Sequence, residues 1–388
     1  MEKDFIEKGK EYLIGNYARF PVSFVRGEGV YLYDTEGKKY IDMLAGIAVN
    51  TLGYNYKPLV EAICNQAKKI LHVSNLFYIQ PQIDVARILV ENSCGDKVFF
   101  CNSGAEANET AIKLARRYFY DKKEDKYEII TFEGGFHGRT LATVKATAQP
   151  KYQEGFEPLP EGFRYAKLND IKSVLEQINE KTAGILIEII QGEGGVKPAE
   201  KEFLEELYKI TREKEILFIV DEVQTGIGRT GKFFAYQHFD IEPDIITSAK
   251  GLGGGVPIGA VIAKDNIAKS FVPGTHGSTF GGNYLATAAA KVVLEEVLKD
   301  GFLEDVLSKG EYLKEKLKSL GLNPRGKGLM VGCPLPDDLN ASEVAKKSLQ
   351  KGLVIGTAGE NTLRFVPPLI ISRLEIDEAI DILASVLH

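Results

Sequence analysis

Between residues 95 and 265, short apolar runs alternate with stretches whose apolar positions recur at helical spacing. The runs at 98–101, 129–132, 185–188, 217–220, 245–247 and 260–262 predict strands. The stretch 105–120, with Ala107, Ala111, Leu114 and Tyr118 in register, predicts a helix, as does 202–213 with Phe203, Leu207 and Ile210 on one side. Strands alternating with helices imply an α/β fold whose largely parallel sheet is covered on both faces. In such a sheet, ligands sit in a crevice at the carboxyl ends of the strands.

The pattern changes after Asn283. Residues 284–298 and 303–320 read as consecutive helices broken at Asp300-Gly301, and 326–332 and 362–366 read as strands, the second stopped by Pro367-Pro368. A last helix is expected from Ser372, with Glu375 completing a capping box. The first 45 residues read as irregular or strand-like, with Asp34-Thr35-Glu36-Gly37 as a turn after the strand 30–33. The expected division is therefore an N-terminal segment 1–45 that packs with a small α+β domain at 284–388, and a large domain at 46–283.

A length of 388 residues agrees with more than one domain. With 44% hydrophobic and 26% charged residues, the composition excludes a disordered chain. The net charge of −6 argues against a duplex-binding surface, and Lys122-Lys123 and Lys346-Lys347 read as solvated helix faces, so no nucleic-acid partner is expected. No apolar run has the length of a membrane span, and the N-terminal residues lack the apolar stretch of a secretory signal. Cys64, Cys94, Cys101 and Cys333 show no paired spacing, which fits free thiols and a cytoplasmic location. His72, His137, His238, His276 and His388 show no metal-ligand spacing, so no metal is expected.

Gly226-Ile227-Gly228-Arg229-Thr230-Gly231 matches the dinucleotide fingerprint GxGxxG. That fingerprint needs a strand directly before the glycines and a helix directly after them. Here Asp221-Glu222-Val223-Gln224-Thr225 intervenes after the strand and no helix start follows, so the segment reads as a glycine-rich loop.

Three other features stand at successive strand ends. Ser103 and Gly104 open the helix after the strand 98–101, where unpaired N–H groups would meet an anion; alone, this is also how an ordinary N-cap looks. Asp221 ends the apolar run 217–220, where a carboxylate is costly unless partnered, though an Asp capping a turn is commoner. Lys250 follows another buried strand and precedes Gly251, Gly253, Gly254 and Gly255. A phosphate cradle, a buried acid and a crevice lysine are together what pyridoxal phosphate requires.

The run Phe218-Ile219-Val220-Asp221-Glu222-Val223-Gln224-Thr225-Gly226-Ile227-Gly228-Arg229-Thr230-Gly231, followed by Ser248-Ala249-Lys250-Gly251, resembles the signature of the class III pyridoxal-phosphate aminotransferases. The resemblance continues through Asn16-Tyr17 and the segments 102–109, 134–140, 191–195, 277–283 and 364–368, and within the family it is strongest to the acetylornithine enzymes. It implies fold type I, pyridoxal 5′-phosphate as cofactor, and a homodimer with a shared active site. It also implies transfer of the δ-amino group of N2-acetyl-L-ornithine to 2-oxoglutarate, in a ping-pong sequence through the pyridoxamine form. Succinyldiaminopimelate, ornithine and 4-aminobutyrate transamination, or aminomutase chemistry, are the alternatives.

Residue by residue, the resemblance gives Lys250 the covalent hold on the cofactor and the proton transfer. Asp221 would pair with the ring nitrogen, Phe136 and Val223 would flank the ring, and Gln224 would bond its phenolic oxygen. Ser103, Gly104 and Ala105 would hold the phosphate, joined from the neighbouring subunit by Thr279, with His137 and Ser278 also in the cofactor site. Arg139 would take the carboxylate remote from the reacting amine, and Arg364 the α-carboxylate of glutamate, with Glu193 pairing Arg364 when that carboxylate is absent. Tyr17, beside Arg19, resembles an entrance residue. Gly46 stands where ornithine enzymes carry a tyrosine, leaving room for an acyl group, and Tyr54 departs from a histidine common in the family.

Overall fold

The computed structural model describes residues 2–387. Seven strands build its main sheet: β1 (Lys97–Cys101), β2 (Glu128–Phe132), β3 (Phe163–Ala166), β4 (Thr182–Ile187), β5 (Leu217–Asp221), β6 (Ile245–Ser248) and β7 (Gly259–Ala263). Their order is β1-β7-β6-β5-β4-β2-β3. The pairs β6–β5, β5–β4, β4–β2 and β2–β3 are parallel. In β5 every residue is buried because both faces are covered. Leu217 and Ile219 join a core with Ala107, Ala111 and Ala115 of the helix Gly104–Asp121. Phe218 and Val220 join the opposite core with Phe203 and Leu207 of the helix Lys201–Glu213. This period-two alternation fixes the register, since a one-residue slip would exchange the two faces. Full burial of a side chain such as Phe218 contributes about 1.5–3 kcal/mol.

The strand Gly259–Ala263 departs from the parallel expectation: it runs antiparallel to both β6 and β1. Residues 249–258 are too few for the crossover a parallel return needs, and they carry Lys250 instead. The segment 326–332 is also not one strand. Gly328, at φ +54°, turns the chain between Arg325–Lys327 and Met330–Pro334, which pair as a hairpin. Nor is the N-terminal segment free of helix, because Glu2–Tyr12 is helical, with Lys10 bonded to Glu7 one turn earlier.

Farther along the N-terminal segment, the strands Phe24–Glu28, Tyr31–Asp34 and Lys39–Asp42 form a sheet completed by Leu353–Val354 from the C-terminal third. The last helix, Arg373–Leu387, has the capping box its sequence suggested: Ser372 Oγ accepts from the Glu375 N–H, and Glu375 accepts from the Ser372 N–H. Asn283 caps Tyr284–Val297 in the same way, through the Ala286 N–H. That helix packs on Lys57–Ala67 and Gln80–Glu91, two elements whose helical pattern the sequence reading passed over.

Candidate active site

Five carboxyl ends of strands supply the site. β1 leads to Ser103, β2 to the loop carrying Phe136 and Arg139, β4 to Glu188, β5 ends at Asp221, and β6 is followed by Lys250. They surround a cavity of about 220 Å³ whose lining includes Gly104, Phe136, Asp221, Val223 and Lys250. Lys250 sits at φ +42°, a left-handed backbone rare outside glycine, which turns the chain sharply after β6. Its amine is pushed below the ordinary lysine value by burial, aided by the nearby Arg364 charge and opposed by Glu193. Burial thereby favours its neutral form.

Asp221 is buried yet fully partnered. Its Oδ2 accepts from Asn108 Nδ2 and His137 Nδ1, each at 2.7 Å, and its Oδ1 accepts from the Val223 N–H at 3.0 Å. Thr247 Oγ1 donates to Asn108 Oδ1 at 2.8 Å, which fixes the amide orientation. Burial alone would lower the His137 imidazole, but the hydrogen bond and charge of Asp221 outweigh it and hold it above its ordinary value. The result is a buried carboxylate at the cavity wall whose two oxygens are held in place by three donors.

Ser103 caps the helix Gly104–Asp121, its Oγ accepting from the Glu106 N–H at 3.2 Å. Gly104 has a steric reason to be glycine, because a Cβ there would lie 2.6 Å from Val223 Cγ1. Helix start and Val223 thus close on one another beside the cavity. Phe136, Val223 and Gln224 all line it, and His137 lines it behind Asp221. The Arg139 guanidinium lies over the Tyr152 ring at 4.0 Å and nearer solvent than Arg364.

Arg364 is buried and its Nη1 donates to Glu193 Oε1 at 2.5 Å, with Gln224 Oε1 at 3.5 Å. Its Nε is buried without a partner, a donor left aimed for something else. Burial would raise the Glu193 carboxyl, but the charges of Arg364 and Lys250 hold it below the usual range.

Other expected residues lie apart. Ser278 Oγ accepts from Asn102 Nδ2 at 3.2 Å and so reaches the helix start through a neighbour, while Thr279 is exposed. Tyr17 is exposed and, with Arg19 over its ring at 5.2 Å, lines a different groove near the N-terminal helix. Gly46 belongs to a left-handed turn over residues 45–48, braced where Asp42 accepts from the Leu44 and Ala45 N–H groups. Tyr54 donates its hydroxyl to that same Asp42.

Sequence reasoning passed over Asn108 and Glu188. Both carried a signal: a polar residue on an alanine-rich buried helix face, and an acid closing an apolar run, the same feature that singled out Asp221. Among the described residues, no three histidines, cysteines or acids gather as a metal site, and no helix is long and apolar enough to cross a membrane.

Residues 14–387 match the family described as aminotransferase class-III. The chain is 55% identical to acetylornithine aminotransferase of Aquifex aeolicus, over 97% of this chain and all of that one. It is 48% identical to the enzyme of the same name from Methanocaldococcus jannaschii, over 99% and 98%. Among solved structures, ornithine aminotransferase from Toxoplasma gondii superposes with a TM-score of 0.95 at 30% identity, covering 100% of this chain and 94% of that one. N-acetylornithine aminotransferase from Stenotrophomonas maltophilia gives 0.85 at 36%, covering 98% of each. The chain belongs to the class-III aminotransferases.

As a class-III aminotransferase it is an enzyme of fold type I that works with pyridoxal phosphate. The site fits that cofactor on its own chemistry: an amine depressed by burial, a buried acid held by three donors, and a helix start pressed close by Gly104. When bound, pyridoxal phosphate supplies an aldehyde that takes up an amino group and a ring that accepts the electron pair left on carbon.

Proposed function

We propose that this aminotransferase moves the δ-amino group of N2-acetyl-L-ornithine to 2-oxoglutarate, giving N-acetyl-L-glutamate 5-semialdehyde and L-glutamate, a step of arginine biosynthesis. The observation that carries the reading is the closed Glu193–Arg364 pair, whose charges reach Lys250, beside a cavity whose lining includes the exposed Arg139. A donor whose only carboxylate lies far from the reacting amine engages Arg139 and leaves Arg364 covered by Glu193. Glutamate has a second carboxylate beside the amine, which displaces Glu193 and takes the guanidinium. Neither state strands a buried charge. Similarity to the acetylornithine enzymes supports the same choice of donor.

In this reading Lys250 Nζ takes the proton from the substrate Cδ and later returns one. Asp221 would pair with the cofactor's ring nitrogen, Phe136 and Val223 would flank the ring, Gln224 would bond its phenolic oxygen, and Ser103, Gly104 and Ala105 would receive the phosphate at a helix start.

We read the active enzyme as a cytoplasmic homodimer in which Thr279 faces the partner's phosphate site. Leu76, Phe77, Tyr78 and Phe280 are strongly exposed on the single chain, an apolar surface suited to a second copy. We also keep the division at 45 and 283, with the helix Tyr284–Val297 as the connector. It packs on large-domain helices, while the N-terminal sheet pairs with Leu353–Val354. Comparison of kcat/KM for N-acetylornithine, ornithine, succinyldiaminopimelate and 4-aminobutyrate tests the substrate. The reading expects N-acetylornithine to lead and glutamate to form only when 2-oxoglutarate is present. A higher value for another donor, or turnover without 2-oxoglutarate, overturns it.

A further inference from the structure

One acid of the cavity has no task in the chemistry above. Glu188, the residue after β4, is 7% exposed and shares its surroundings with His137, Asp221 and Lys250. Both of its oxygens accept from main-chain donors. Oε2 takes the Phe136 N–H at 2.9 Å, and Oε1 takes the Gly192 N–H at 3.3 Å. The two donors come from different loops. One presents Phe136 and Arg139 to the cavity, and the other presents Glu193 to Arg364.

We propose that Glu188 is a positioning residue that sets the Glu193 loop against the Phe136 loop and so holds Glu193 in place to cover Arg364. The inference rests on the amino-donor reading above and extends it to what aligns the switch. Gly192 packs close against Gln224, since a Cβ at that position would lie 2.4 Å from Gln224 Oε1. Glu193 is the next residue, so a Gly192 N–H that loses Glu188 disturbs the main chain that carries Glu193.

Glu188→Gln isolates this role. The amide has one acceptor where the carboxylate has two. Its oxygen keeps the shorter bond to Phe136, and its NH₂ then confronts the Gly192 N–H, leaving a buried donor unsatisfied. The loops stay joined by Gln191 Nε2 donating to Glu133 O at 3.0 Å, so the isosteric variant retains its fold. A displaced Glu193 leaves Arg364 uncovered toward N-acetylornithine, which has no carboxylate to offer there. Glutamate is less affected because it takes that place itself.

The test measures the two half-reactions of the loaded enzyme separately and amide hydrogen exchange of the cofactor-free chain. In Glu188→Gln the N-acetylornithine half-reaction should show KM raised about tenfold, the glutamate half-reaction should change by no more than about twofold, and the peptide spanning 189–196 should exchange faster than in wild type. Equal changes in both half-reactions, or an unchanged exchange pattern, overturn the proposal. Failure of the wild type to use N-acetylornithine would instead sink the substrate reading, and the exchange result would then decide the role of Glu188 by itself.

Discussion

Lys250, Asp221 and His137 illustrate how burial and partners divide labour among titratable groups. Desolvation pushes the lysine toward its neutral form, while Asp221 is held by three donors and raises the His137 imidazole beside it. Asp221 and Lys250 were legible because one ends and the other follows an apolar run, whereas His137 came only through the family resemblance. Glu193 and Arg364 were also legible only that way, since a separation of 171 positions gives no local signal that they meet. Glu222, next to Asp221, offers a stability test. Burial pushes its carboxyl up to about 7, with the neighbouring Asp221 adding and the Thr225 hydroxyl and the Ala235 and Tyr236 N–H groups opposing. An unfolded glutamate titrates near ~4.3. Between those pH values the folded chain holds a proton that the unfolded chain has released, so this group's contribution falls as pH rises through that window. Glu222→Gln carries no such proton. Urea unfolding of the cofactor-free protein should show the variant gaining stability relative to wild type from pH 5 to 8, by a few kcal/mol at most. Parallel profiles would show that Glu222 does not titrate in that range.

At the level of elements, the central strands and the helices at 105–120 and 202–213 were readable because periodicity and burial coincide there. What escaped was set by tertiary context. Gly259–Ala263 reads as one more buried strand, and nothing in its own residues fixes its direction. The hairpin at 325–334 escaped because its turn is only two residues, Gly328-Leu329, too short to break the segment in the sequence. The charged helix Glu2–Tyr12 has no strong apolar stripe and exposes Phe5. Two helix starts make a contrast that separates stability from function. Ser372→Ala, far from the cavity, should cost about 1 kcal/mol by denaturant melting and leave kcat unchanged. Gly104→Ala forces a methyl against Val223 and should weaken cofactor affinity at least about tenfold, as measured by equilibrium dialysis. If Ser372→Ala also lowered kcat, or Gly104→Ala bound the cofactor normally, the division would fail.

For the whole molecule, the exposed Leu76, Phe77 and Tyr78 form an apolar surface beside Asn75, which bonds the loop carrying Thr279, and so suit the second copy proposed above. The shared site itself was read from the likeness of Thr279 to a residue shared across subunits, and hydrophobic patterning alone would have left residues 76–78 as an ordinary apolar segment. Phe77→Asp should dissociate the dimer in sedimentation and make specific activity rise with protein concentration. A variant that sediments and turns over like wild type would contradict a shared site.

The architecture places five strand ends around one amine, and the account stands or falls on what that amine holds. Borohydride reduction of the enzyme loaded with pyridoxal phosphate, followed by peptide mapping, reads this directly. The account predicts one cofactor adduct per chain on the peptide containing Lys250, and its loss together with all turnover in Lys250→Ala. An adduct mapped to another lysine, or Lys250→Ala retaining turnover, would contradict it.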